Sequence, residues 1–218
     1  MLKQAVGIII PLTLLGCSSE DLETTNFGSD LYKNNYYLVN ASGTEVAFHL
    51  ANTEVDGDER DASNNKYWVQ TLTAGADVVK TKHEHNVAQK VTFYAESRNP
   101  AGKSAKVTEK VKTDKDYNVI AWQDSNGAFG INVLRREQSN RSGQFAVRFF
   151  ALDAQQVIVN GTTMTLARAG ISEWYYIDEC GQDIVVAGQR LDICQGSYNN
   201  SYLLVVGQQG LIAQVNQS

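Results

Sequence analysis

The 218-residue sequence predicts an all-β fold: two tandem immunoglobulin-like antiparallel β-sandwich domains, behind a cleaved lipoprotein signal and a flexible tether. Three observations carry this expectation: short runs of alternating apolar and polar residues, a loose internal repeat, and a signal-like N-terminus. In VTFYAES (91–97), Val91, Phe93 and Ala95 share one face while Thr92, Tyr94 and Glu96 share the other, the period-two pattern of a strand. YNVIAWQD (117–124), FAVRFFALD (145–153) and YLLVVG (202–207) are equally short, rich in aromatic and β-branched residues, and bounded by Gly, Asn, Asp and Ser. No segment shows a sustained helical stripe with caps, and strands spaced about ten residues apart point to a sandwich.

The chain opens MLKQAVGIIIPLTLLGC. Lys3 precedes a roughly ten-residue apolar run, well short of the about 20 residues a membrane-spanning helix needs. A basic start and a short apolar core are the form of a secretory signal. LLGC (14–17) resembles the bacterial lipobox, in which a small residue admits the signal peptidase and the cysteine thiol takes up diacylglycerol. Cleavage before Cys17 makes residues 1–16 a signal peptide; an ordinary secretory signal is the alternative. Two or more acyl chains are needed for stable anchoring, and a diacylglycerol plus an amide-linked chain meets that condition. Ser18 stands where Asp would favour inner-membrane retention, so the expected address is the outer membrane, on its periplasmic face. Residues 17–34 then read as the lipidated cysteine and a polar tether with a reach of about 25 Å.

The repeat runs from residues 36–50 (YYLVNASGTEVAFHL) to 147–161 (VRFFALDAQQVIVNG), an ungapped match placing Tyr36 on Val147 and Phe48 on Val159. A second match sets 117–133 against 202–215, with Tyr117 on Tyr202 and Val119 on Leu204. The order, opening hairpin then closing hairpin, occurs twice. It predicts domains at 35–138 and 143–218, the second shorter, joined closely by the polar segment 137–143.

The formal charge is −5 and becomes −6 when Lys3 leaves with the signal. An acidic chain without a basic stripe gains nothing from counterion release, which argues against nucleic acid as a partner. With Cys17 lipidated, Cys180 and Cys194 remain as an even pair in an oxidising compartment, where a disulfide is expected. Buried free thiols or a two-cysteine metal site are the alternatives.

VNAS (39–42) followed by EVAFHL (45–50) resembles the start of the bacterial "domain of unknown function 4397". RFFALD (148–153) with QVIVNG (156–161) is similar to a weaker version of the same start, and the closing strand at Tyr117 fits as well. The resemblance implies tandem β-sandwiches in an exported protein. It brings no catalytic residues.

Few residues mark chemistry. In KHEH (82–85), His83 and His85 project to the same side of a strand and could share a Zn or Cu ion; otherwise they belong to an exposed charged strand. DGDERD (56–61) lacks the ligand spacing of an EF-hand and reads as a solvated acidic loop rather than a calcium site. No Gly-x-Ser-x-Gly elbow or His-Glu-x-x-His run occurs. Trp174, Tyr175 and Tyr176 are consecutive, so they must face both sides of a strand, and one face could be open to a ligand. The expected function is non-enzymatic and needs no cofactor: a lipid-anchored module that binds or scaffolds an envelope protein or glycan. An envelope polysaccharide hydrolase and a metal-binding module using His83 and His85 are the alternatives.

Overall fold

The computed structural model describes residues 33–86, 88–98 and 102–218. The signal peptide 1–16, the lipidation site Cys17 and tether residues 18–32 lie outside the described residues.

The described residues form sixteen strands in four sheets of four. The first sheet has the order β4 (Val79–Glu84), β1 (Lys33–Ala41), β7 (Tyr117–Gln123), β8 (Phe129–Arg135). The second is β3 (Trp68–Leu72), β2 (Val46–Asn52), β5 (Lys90–Ser97), β6 (Ser104–Lys110). The third is β12 (Tyr175–Ile177), β9 (Phe145–Ala151), β15 (Ser201–Gly207), β16 (Gly210–Asn216). The fourth is β11 (Thr162–Leu166), β10 (Gln155–Val159), β13 (Ile184–Val186), β14 (Gln189–Arg190). Adding eight to every strand number turns the first two orders into the last two, so one wiring occurs twice. β1 begins at Lys33, so the last two residues expected in the tether, Lys33 and Asn34, are paired with Glu84 and His83.

Strand pairing is antiparallel apart from one parallel pair in each half, β1 with β7 and β9 with β15. Tyr36 lies opposite Tyr117 and Val147 opposite Tyr202, the correspondence that the sequence repeat assigns. Both tyrosines close the same corner. The Lys112 N–H donates to Tyr117 Oη at 2.8 Å, and the Ser197 N–H donates to Tyr202 Oη at 2.6 Å, each from five residues upstream. Each half is immunoglobulin-like in its two facing layers. Its second and third strands, however, form a hairpin within one sheet, whereas in immunoglobulin domains they lie in opposite sheets.

The four sheets stack in the order second, first, third, fourth. Tyr36, Leu38, Phe48, Leu50, Phe93 and Val119 fill the space between the second and first sheets. Phe145, Phe149, Val157, Ile177, Ile184 and Leu204 fill that between the third and fourth. The seam between the halves is a third core, with Val39, Ile120 and Trp122 of the first sheet against Phe150, Leu203 and Val205 of the third. Strands β7, β9 and β15 are therefore buried on both faces, which explains their near-continuous apolar sequences. Trp122 lies flat across its cross-strand neighbour Gly130, where a Cβ would fall 2.3 Å from the indole, and donates from Nε1 to Asn132 Oδ1 at 2.7 Å.

Cys180 and Cys194 are bridged, with Cα atoms 5.0 Å apart. They flank the β13–β14 hairpin, whose turn at Ala187 and Gly188 takes positive φ at both positions, as a two-residue hairpin loop requires. Opening this loop by Cys180→Ser should cost the second half about 3 kcal/mol, seen as a lower urea midpoint that added reductant reproduces in the parent chain.

Candidate functional site

The first half ends in a polar cluster enclosed between its two sheets. On β4 the alternation puts Val79, Thr81 and His83 inward and leaves Lys80, Lys82 and Glu84 exposed. His83 faces Asn34 across the β1–β4 ladder, and its ring meets the Tyr36 ring edge-on at 6.3 Å. His83 Nε2 lies 3.0 Å from Asn52 Oδ1, while Asn52 Nδ2 donates to the Glu84 carbonyl at 3.0 Å. Since that amide is already oriented by its donated bond, Nε2 of His83 carries the proton and Nδ1 the lone pair. His85, only 4% exposed, turns Nδ1 toward the Asn86 carbonyl oxygen at 3.4 Å, which puts its lone pair on Nε2. Asn86 in turn donates to the Thr53 carbonyl at 2.6 Å, tying the end of β2 to the same cluster.

Burial dominates the electrostatics. Desolvation, with some repulsion from His85, pushes the His83 pKa down to about 4 against a weak opposing pull from Glu84. Burial also lowers His85, partly offset by the Asn86 carbonyl and by Asp114. Both rings are neutral at neutral pH. Tyr36 is fully buried, and desolvation holds its hydroxyl protonated far above the ordinary range. Among the described residues, three buried oxygens here, Asn34 Oδ1, Tyr36 Oη and Thr53 Oγ1, have no well-formed hydrogen bond, although the Asn34 side chain lies close enough to act on the Tyr36 hydroxyl. Each such atom ordinarily costs about 1–3 kcal/mol.

The second half shows that the fold does not require this polarity. Its counterpart of the Asn34–His83 pair is Phe145 opposite Ile177, both essentially fully buried, and the counterpart of Tyr36 is Val147.

The aromatic triplet 174–176 divides as its alternation predicts. Tyr175 turns into the second core beside Phe149, ring centroids 6.4 Å apart. Tyr176 points the other way, its hydroxyl 2.6 Å from Ser139 Oγ and its ring 4.7 Å from the Arg141 guanidinium. Half-buried Trp174 packs 4.9 Å from the Arg148 guanidinium. Arg148 is 6% exposed and donates to the Arg135 carbonyl at 2.9 Å; Glu137 pairs with both Arg148 and Arg135. At the same seam the Arg136 guanidinium stacks on Tyr37 at 3.6 Å. The seam thus presents a row of guanidinium–aromatic contacts, each worth about 0.5–2 kcal/mol depending on solvent exposure.

The acidic loop folds back on the second sheet instead of converging on a point. Glu54 pairs with Arg60 at 2.7 Å and Glu59 with Lys106 at 2.8 Å, while Asp61 accepts from Ser63. Ala62 and His49 are buried beneath it. Among the described residues, no group of three or more His, Cys, Asp or Glu is arranged to hold a metal ion. The buried carboxylates Asp124 and Asp153 are committed to structure. Asp124 accepts from the Asn126 and Ala128 N–H groups and from Arg168, and Asp153 accepts from Ser125.

Sequence reasoning named His83, His85 and Trp174 to Tyr176, but not Asn34, Asn52, Thr53 or Arg148, which surround them. A signal existed for Asn34: it lies two residues before Tyr36 and four before Leu38, an inward position on period-two spacing. Compared with known proteins, the sequence matches no family model and no curated protein.

Proposed function

We propose that the chain is an outer-membrane lipoprotein, similar in kind to the tandem "domain of unknown function 4397" proteins, whose paired sandwiches serve as a non-enzymatic binding or scaffolding module in the envelope. The observation that carries the binding role is the seam itself. Arg136 and Arg141 stack on Tyr37 and Tyr176 while buried Arg148 backs half-buried Trp174, so both halves of one chain contribute to an aromatic and cationic patch. Such a surface suits an envelope glycan or an acidic protein segment. A hydrolytic role draws no support from Asp124 and Asp153, whose oxygens are taken by backbone N–H groups, Arg168 and Ser125. The lipobox-like LLGC supplies the anchor, and fifteen residues separate Cys17 from the first strand.

Labelling cells with a fatty-acid analogue tests the anchor. The parent chain should take up label and Cys17→Ser should not; equal labelling would overturn the address. Crosslinking in intact envelopes tests the binding role. A reproducible partner lost in Trp174→Ala/Tyr176→Ala supports it, and capture that the substitution leaves unchanged removes the seam from the reading.

A further inference from the structure

We propose that the polar end of the first half is a buried site for one divalent transition-metal ion, with His83 Nδ1 and His85 Nε2 as its nitrogen ligands. This site is separate from the seam and goes beyond the binding role proposed above.

Four observations lead there. Both imidazoles turn inward, His83 on the inward face of β4 and His85, 4% exposed, two residues further on, and they lie close enough for His85 to act electrostatically on His83. Each is oriented by an oxygen acceptor on its protonated nitrogen, Asn52 Oδ1 for His83 and the Asn86 carbonyl for His85. This outer support is the kind that metal-binding histidines use, since it fixes the tautomer and aims the lone pair. The three oxygens without a well-formed hydrogen bond belong to the immediate neighbours of the pair. Asn34 is the cross-strand partner of His83, Tyr36 contacts its ring, and Thr53 is hydrogen-bonded to Asn86 beside His85. Finally, the other half closes the same end with Phe145, Ile177 and Val147, so the polar set is an addition to the fold and not a condition of it.

The donor chemistry selects the ion. Two neutral imidazoles with amide and hydroxyl oxygens suit Zn²⁺, Cu²⁺ or Ni²⁺. Ca²⁺ and Mg²⁺ prefer clusters of carboxylate oxygens, which this end does not offer. Glu84 and Asp114 lie close enough to act electrostatically on His83 and His85 and would offset part of the ion's charge.

Titration calorimetry of the whole chain with Zn²⁺ and Cu²⁺, with Mg²⁺ as control, tests the site. One ion per chain should bind, and His83→Ala or His85→Ala should weaken it by about 100-fold. The double variant Asn34→Phe/His83→Ile copies the second half's own pairing, so it should keep the fold while losing the ion. Equal affinity in these variants, or no uptake of Zn²⁺ or Cu²⁺ by the parent chain, would overturn the inference. Partner capture at the seam is read separately: a captured partner without metal uptake rejects the metal site alone, and metal uptake without a partner rejects the seam alone.

Discussion

Replacing Phe150 by Ala is expected to lower stability by about 3–5 kcal/mol and to loosen the two halves from each other. Phe150 is fully buried on the face of β9 that meets the first sheet, with its ring 6.5 Å from that of Trp122 and with Val39, Ile120, Leu203 and Val205 in the same cluster. A cavity there removes contacts from both halves at once. Calorimetry should show one cooperative transition in the parent chain and two in the variant. Gly130→Val approaches the seam from the other side, because its Cβ would fall 2.3 Å from the Trp122 ring and push the indole off the interface. Since a domain's whole stability is about 5–15 kcal/mol, either change should be plain in the unfolding midpoint. An unchanged midpoint and a single transition in both variants would show that the seam contributes little.

Acid should act on the first half selectively. All three histidines lie there, and burial is the largest cause lowering each of them below the ordinary value of 6.5. The sign follows from proton uptake. Below pH 6.5 the unfolded chain binds a proton that folded His83 refuses until about pH 4, so stability is complete above 6.5 and falls through that window. For His83 alone the loss reaches about 3 kcal/mol at the acid end. In the Phe150→Ala background, where the halves unfold separately, urea midpoints taken with a chelator should fall from neutral to acid pH for the first half and stay nearly level for the second. Asn34→Phe/His83→Ile should remove the His83 share of the slope. Burial raises the Asp124 carboxyl, but the Ala128 and Asn126 N–H groups and Arg168 outweigh it. Its loss therefore begins only below about 3.8, outside the histidine window. A pH-independent midpoint for the first half would contradict the assignment.

Much of the architecture was legible because burial on one face leaves period-two spacing, as in residues 91–97. The correspondence of Tyr36 with Val147 and Tyr117 with Tyr202 was legible for a related reason: positions at one depth in equivalent sheets tolerate the same kinds of side chain. The face-to-face seam was harder to see. In YLLVVG and FAVRFFALD both faces are apolar, and a run without alternation says that both sides are covered without saying by what. The candidate metal end was only half visible. His83 and His85 stand out by residue type and spacing, whereas Asn34, Asn52 and Thr53 resemble ordinary strand-end residues until β1, β2 and β4 bring them together. Arg148 was hidden differently, since an arginine within a strand suggests a solvent-facing position, yet here the end of β8, Glu137 and Trp174 cover it.

β1 is the element nearest the proposed anchor, and it has hydrogen-bonded neighbours on both sides, antiparallel β4 and parallel β7. Any pull arriving from the N-terminal side of Lys33 runs along this strand, so both ladders are loaded in shear and their bonds must yield together instead of peeling one by one. The same strand is wedged between two cores. Tension arriving through the proposed anchor would therefore pass into a strand held along both edges, and the mechanical lifetime of the fold would be set by that double clamp.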